Sequence, residues 1–168
     1  MNGELNLYNT ASHEKERVEE QDIGIYVCGV TPYDTTHLGH AFTYVAFDVM
    51  IRYLRFIGRK VTYVRNVTDI DDDVLLRANS TGVDWKDLGD REYAKFADDM
   101  RRINNVPPEF EPRATGHIPE IIRITEGLLA RGLAYERQGA VYFEVRKYPE
   151  FGKLFRQAYY AMLEVANE

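Results

Sequence analysis

The sequence predicts an α/β fold, and three observations carry that prediction. A short apolar, β-branched run, Ile23 to Cys28, precedes a longer segment with helical spacing, and a second such run follows at Val61 to Val67. Runs of this kind are how strands of a covered parallel sheet read. Strand, helix and strand within about 45 residues make a βαβ unit, which implies a parallel pair joined by a right-handed crossover. The third observation is the punctuation Gly29-Val30-Thr31-Pro32-Tyr33-Asp34, because Pro32 does not continue a central strand and the turn falls where strand gives way to helix.

Each element can be justified in order. Residues 13–22 are polar and rich in Glu, so they are expected as an exposed loop. Ile23 to Cys28 is expected as a strand buried on both faces. From Leu38 to Ile57 apolar residues recur at Ala41, Val45 and Val49 and at Phe47, Ile51 and Leu54, which is helical spacing, and Gly58 stops the helix. After the second strand, helices are expected over Asp71 to Ala78 and Trp85 to Ile103, the latter with Phe96, Met100 and Ile103 on one face. Val106-Pro107-Pro108 breaks it. Pro119 suits the first turn of a helix running to Ala130, with Arg131 and Gly132 as its stop. Leu133 to Val145 reads as a hairpin turning near Gln138-Gly139.

Composition excludes several classes. With 168 residues and 45% of them hydrophobic, the chain has room for one domain with a core. Lys plus Arg total 21 against 27 Asp plus Glu, a net charge of −6, which excludes a uniformly basic nucleic-acid coat. One cysteine, Cys28, excludes an intrachain disulfide framework and fits a reducing cytoplasm. No apolar run approaches the roughly 20 residues of a membrane helix. The opening residues carry acids and lack an apolar core, so they are not expected to be a signal peptide. Arg52, Arg55, Arg59, Lys60, Arg101 and Arg102 read as solvated helix faces.

The chemistry concentrates where the first strand hands over to the helix. His37-Leu38-Gly39-His40 lies at the carboxyl end of a strand, the usual ligand position in a parallel sheet. A helix start offers unpaired N–H groups to phosphate, Gly39 lets a flat ring approach the backbone, and two imidazoles three residues apart can donate to phosphate oxygens. The alternative is that His37 caps the helix and His40 packs on the sheet. Thr68-Asp69 closes the second strand at the same edge. Asp71, Asp72 and Asp73 complement a helix dipole and lack the spacing of a calcium loop.

These residues carry a family resemblance. Cys28-Gly29-Val30-Thr31-Pro32-Tyr33-Asp34-Thr35-Thr36-His37-Leu38-Gly39-His40-Ala41 resembles the signature region of cysteinyl-tRNA synthetase, a class I synthetase. So do Tyr63-Val64-Arg65-Asn66-Val67-Thr68-Asp69-Ile70-Asp71-Asp72, Pro112-Arg113-Ala114-Thr115, His117-Ile118-Pro119-Glu120 and Tyr148-Pro149-Glu150-Phe151-Gly152-Lys153-Leu154. The resemblance covers roughly residues 7 to 154. Pro32, Thr35-Thr36, Thr43-Tyr44 and Gly82-Val83-Asp84-Trp85 also look like the cysteine ligase of mycothiol synthesis, which uses glucosaminyl-inositol instead of tRNA-Cys as acceptor.

The resemblance implies a partial Rossmann-like parallel sheet of the class I synthetase (HUP) type, with a connective α+β insertion. It divides the chain at about 7–75, the first half of the nucleotide-binding fold, 76–154, the insertion, and 155–168, a helical tail outside the family pattern. It implies that cysteine and ATP form cysteinyl-adenylate. His37 and His40 would be catalytic. Thr31, Tyr33, His37, Gly39 and His40 would bind ATP, and Gly29, Thr31, Thr68 and Asp69 would bind cysteine. Zinc would be held by Cys28, whose alternative is a small buried residue at a strand end. The family's other zinc ligands lie beyond Leu154, so the zinc site is expected to be incomplete. His117 is either site-facing or a loop residue, and Gly116 stands where the family usually has Glu.

The family's later half is also where the rest of the nucleotide-binding sheet lies. The chain is therefore expected to be a truncated catalytic domain, incomplete alone. It could work with a complementary polypeptide or a second copy, or persist as a non-catalytic binder of ATP and cysteine.

Overall fold

The computed structural model describes residues 3–34 and 36–154; the expected helical tail over 155–168 lies outside the described residues. In chain order the strands and helices are β1 (Asn6–Asn9), β2 (Glu14–Arg17), β3 (Asp22–Val30), α1 (Leu38–Phe56), β4 (Lys60–Val67), α2 (Asp72–Thr81), α3 (Trp85–Arg102), α4 (Ile118–Ala130), β5 (Ala134–Arg137) and β6 (Ala140–Phe143). They fall into two compact units, Met1–Gly3 with Glu19–His117 and Glu4–Val18 with Ile118–Glu168.

The first unit is built on the predicted βαβ motif. β3 and β4 pair in parallel from Asp22↔Lys60 to Val27↔Arg65, and the pairing resumes at Val30↔Val67 after a slip in register. Ile25, Val27 and Val30 of β3 are buried, whereas Gly24, Tyr26 and Cys28 are exposed. The expectation of burial on both faces is thus corrected. Successive side chains alternate across a strand, and in β3 only one set faces packed neighbours. β4 alternates too, placing Val61, Tyr63, Arg65 and Val67 inside.

α1 begins and ends as expected, with Ile57 as its C-cap and Gly58 at a φ of +87°. Its inward row is Tyr44, Ile51 and Leu54. Of the two rows with helical spacing, the one through Val45 and Val49 is not the inward one, because Val45 is 39% and Val49 61% exposed. Both rows have helical spacing, and one turn of helix can present only one of them to the sheet. In α3, Leu88, Phe96 and Met100 are buried, but Ile103 lies past the last turn and is 46% exposed. Asp71 and Asp84 cap α2 and α3 by accepting from Asp73 N and Lys86 N. The acidic cluster thus serves the helix start.

Beyond β4 the segment Glu109 to Arg113 runs parallel to it. Glu109 N–H donates to Tyr63 O at 2.9 Å, Arg65 N–H to Phe110 O at 3.1 Å and Val67 N–H to Pro112 O at 2.9 Å. Short bridges join Val64 to Phe110 and Val67 to Arg113. Prolines and acids hide this strand from pattern reading, since Pro112 can only accept and so tolerates only such an edge.

The second unit contains two antiparallel hairpins and α4. β1 pairs with β2 from Asn6↔Arg17 to Asn9↔Glu14, which corrects the expected loop over residues 13–22. All four residues of β2 are exposed, so apolar alternation never signalled the strand. α4 starts one residue before Pro119 and ends at Ala130, as expected. β5 and β6 pair from Ala134↔Phe143 to Arg137↔Ala140 around the predicted turn. Gln138 and Gly139 there have φ of 53° and 77°, the two positive values a type I′ turn requires.

Candidate functional site

Parallel pairing puts the carboxyl ends of β3 and β4 side by side, and most of the predicted residues meet there. Thr68 N–H donates to Val30 O at 2.9 Å, closing the sheet just before Thr31, which follows β3, and Asp69, which follows β4. Where the register slips, Gly29 N–H donates to Asn66 Oδ1 at 2.7 Å. A Cβ on Gly29 would lie 1.5 Å from the Asn66 carbonyl oxygen, so only glycine allows this approach. Tyr26 hydroxyl donates to the same Oδ1 at 2.9 Å, and Asn66 Nδ2 donates to Thr68 Oγ1 at 3.2 Å.

α1 is tied to this edge by Tyr44, whose hydroxyl donates to Cys28 O at 3.2 Å. Burial pushes Tyr44 up to about 12, so the donor keeps its proton at neutral pH. The Cys28 thiol is exposed, which removes the reading of a buried strand-end residue. Thr31 is half-buried, and Tyr33, 37% exposed, donates its N–H to Thr31 O at 3.1 Å.

The histidine pair is a helix cap built from two imidazoles. Gly39 N–H donates to His37 Nδ1 at 3.0 Å, and His37 N–H donates to His40 Nδ1 at 3.3 Å, a reciprocal capping box. The ring centroids lie 4.0 Å apart. A Cβ on Gly39 would come 2.8 Å from His37 Cε1, so a larger residue there would push the His37 ring out of its cap position. The ring that approaches this backbone is His37's own. A nitrogen that accepts an N–H carries no proton, so each neutral ring keeps its proton on Nε2. Capping therefore leaves both rings as Nε2–H donors. Burial, and secondarily the His37 charge, holds His40 below the usual histidine range and favours that neutral form.

Asp69 is buried at 7% exposure, and its two carboxylate oxygens accept from Thr115 N at 2.9 Å and Thr115 Oγ1 at 2.6 Å. Arg113 approaches Asp69 Oδ2 at 3.9 Å, pairs with Asp90 at 2.5 Å and stacks its guanidinium 4.9 Å above the Tyr93 ring. Beneath it Arg65, 4% exposed, donates to Glu111 at 2.8 and 2.5 Å, and the Tyr93 hydroxyl donates to the same carboxylate. Burial and then the Glu111 bond push Tyr93 up to about 12.

Pattern reading did not single out Asn66, Thr115, Arg113 or Glu111 as working residues. Asn66, Arg113 and Thr115 stood in blocks quoted for the resemblance, which was the available signal. His117 is exposed at the end of a short 3-10 turn, Ala114–His117. Among the described residues no group of three His, Cys, Asp or Glu side chains is placed to hold a metal ion. Cys28 alone does not make a zinc site, which needs three or four protein ligands.

A parallel sheet with paired strand ends and a histidine-capped helix start defines a class of protein. By fold it is like Mycobacterium tuberculosis methionyl-tRNA synthetase in complex with methionyl-adenylate, with a TM-score of 0.58 at 24% identity, over 67% of this chain and 23% of that one. The family of class I (C) tRNA synthetases, catalytic domain, matches residues 14–167, and this chain belongs to it. A cysteine–tRNA ligase of Cronobacter sakazakii is 49% identical over 157 residues, 91% of this chain and 34% of that protein. A chloroplastic/mitochondrial cysteine–tRNA ligase CPS1 homolog of Oryza sativa subsp. japonica is 49% identical over 155 residues, 90% of this chain and 27% of its own length. The chain thus spans about a third or less of these relatives. Among the described residues no helix is long and apolar enough to cross a membrane.

Proposed function

We propose that this chain binds ATP and cysteine at the joined ends of β3 and β4 and carries the activation half of a cysteine–tRNA ligase reaction. One observation supports it most: Gly29 and Thr31, Thr68 and Asp69, and two Nε2–H imidazole donors belong to one strand edge and the helix start that follows it. In this reading a cysteine carboxylate oxygen attacks the α-phosphorus of ATP. The bond to the bridging oxygen of the β-phosphate breaks, and pyrophosphate leaves with that electron pair. His37 and His40 stabilise negative charge developing on phosphate oxygens, and Gly39 keeps the cap closed. Thr31 and Tyr33 flank the nucleotide. Gly29, Thr31, Thr68 and Asp69 position cysteine, with Asp69 favouring the substrate ammonium through lone pairs that Thr115 leaves unused.

The high identity to proteins named cysteine–tRNA ligase supports tRNA, rather than glucosaminyl-inositol, as the acceptor of the complete enzyme. No step here passes through zinc, because the described residues do not fit it. Cysteine-dependent exchange of pyrophosphate into ATP tests the reading. Exchange by the purified chain alone would show that it carries the whole activation step, against the expectation that it is incomplete alone. Exchange only after addition of a complementary polypeptide would identify half of a split enzyme. Binding of a cysteinyl-adenylate analogue without exchange would leave a binder, and neither binding nor exchange would sink the proposal.

A further inference from the structure

We propose that Asn66 is a positioning residue that turns Thr68 into a hydrogen-bond donor toward the bound amino acid. The inference deepens the function proposed above and rests on it. Its geometry begins at Gly29, whose backbone N–H can only donate. The atom 2.7 Å away must therefore be the acceptor oxygen of the Asn66 amide, and the Tyr26 hydroxyl, 2.9 Å from the same oxygen, agrees. With the oxygen so assigned, the amide nitrogen must face Thr68, 3.2 Å from its hydroxyl oxygen.

An amide nitrogen donates and never accepts. Thr68 Oγ1 is thus the acceptor in this bond, and its own proton remains to be donated elsewhere. The same amide spans both walls of the site, Gly29 on β3 and Thr68 just past the end of β4, beside the point where the register slips. Asn66 consequently couples the placement of the Cys28-Gly29 backbone to the direction of the Thr68 hydroxyl. Its side chain need not touch the substrate to act on it.

Asn66→Asp and Asn66→Ala separate positioning from folding. The first keeps an acceptor for Gly29 N–H and Tyr26 but replaces the donor facing Thr68 with an acceptor that draws the Thr68 proton inward. Slow hydrogen exchange at the Gly29 amide is expected to survive in Asn66→Asp and to be lost in Asn66→Ala. Affinity for a non-hydrolysable cysteinyl-adenylate analogue should fall about tenfold or more in Asn66→Asp, while affinity for ATP stays as in the wild type. Thr68→Val added to Asn66→Asp should cost little more, because both changes remove the same donated proton.

Wild-type affinity in Asn66→Asp, or losses that add in full, would overturn the assignment. In the free chain, Thr68→Val should shift the Asn66 side-chain amide signals in nitrogen-15 NMR, and unmoved signals would overturn it without any ligand. If those signals shift but the wild-type chain binds no analogue, the proposed function fails and the Asn66–Thr68 bond stands.

Discussion

Two glycines at strand junctions, Gly29 in β3 and Gly139 between β5 and β6, are required for opposite reasons. At Gly139 the space is open, with nothing within 4 Å of an added Cβ, but φ is +77°. The constraint is the chain's own torsion. At Gly29 an added Cβ would meet the carbonyl oxygen of Asn66 at 1.5 Å, so the constraint is a neighbour 37 residues away in sequence. The first joint is written in consecutive residues and the second in the approach of two parallel strands. The hairpin could be anticipated from Gln138-Gly139 alone, whereas the site edge required the assembled sheet.

That contrast can be pressed hardest at the far edge of β4, where another joint depends wholly on distant residues. Glu111→Ala should strand the buried Arg65 guanidinium and the Tyr93 hydroxyl, costing about 3–5 kcal/mol in urea unfolding. A loss under about 1 kcal/mol would mean that the segment beyond β4 contributes little. Gly29→Ala comes next, at about 2–3 kcal/mol, because backbone must move to admit the methyl group. It should also weaken binding of the cysteinyl-adenylate analogue, and full retention of both properties would break the comparison.

Gly139→Ala should cost only about 1 kcal/mol, the strain of a left-handed L-residue in open space, and should leave analogue binding untouched. If it damaged binding as Gly29→Ala does, the two joints would not be separate in the sense argued. The smallest effect is titration of the histidine cap. His40 is held below its ordinary value, so between the unfolded value of about 6.5 and the folded one the unfolded chain binds more protons. Stability is then full above that window and declines as pH falls through it. His40→Gln keeps an acceptor at the same capping position and should flatten the decline between neutral and mildly acidic pH. An unchanged slope would place the acid sensitivity elsewhere.

Much of this was legible before the fold. The two parallel strands, four helices and the β5–β6 hairpin follow from apolar spacing, glycine stops and turn residues, all of them local signals. Cys28, Gly29, Thr31, His37, Gly39, His40, Thr68 and Asp69 were named from strand ends and from family resemblance. β2 was missed because its four residues are exposed and charged or polar. The segment beyond β4 was missed because Pro108 and Pro112 read as breakers, although Pro112 needs only to accept.

The sequence by itself determined roughly where the helices, the two parallel strands and the β5–β6 hairpin lie and which residues crowd the strand ends. Capping, turn torsion and hydrophobic period act over a few residues, so they survive in the linear text. Only the tertiary structure decided what those residues do for one another. Asp69 is held by Thr115, and Thr68 by Asn66 across from Gly29. Hydrogen-bond direction depends on which donor meets which acceptor, and those meetings are made by strand pairing and packing.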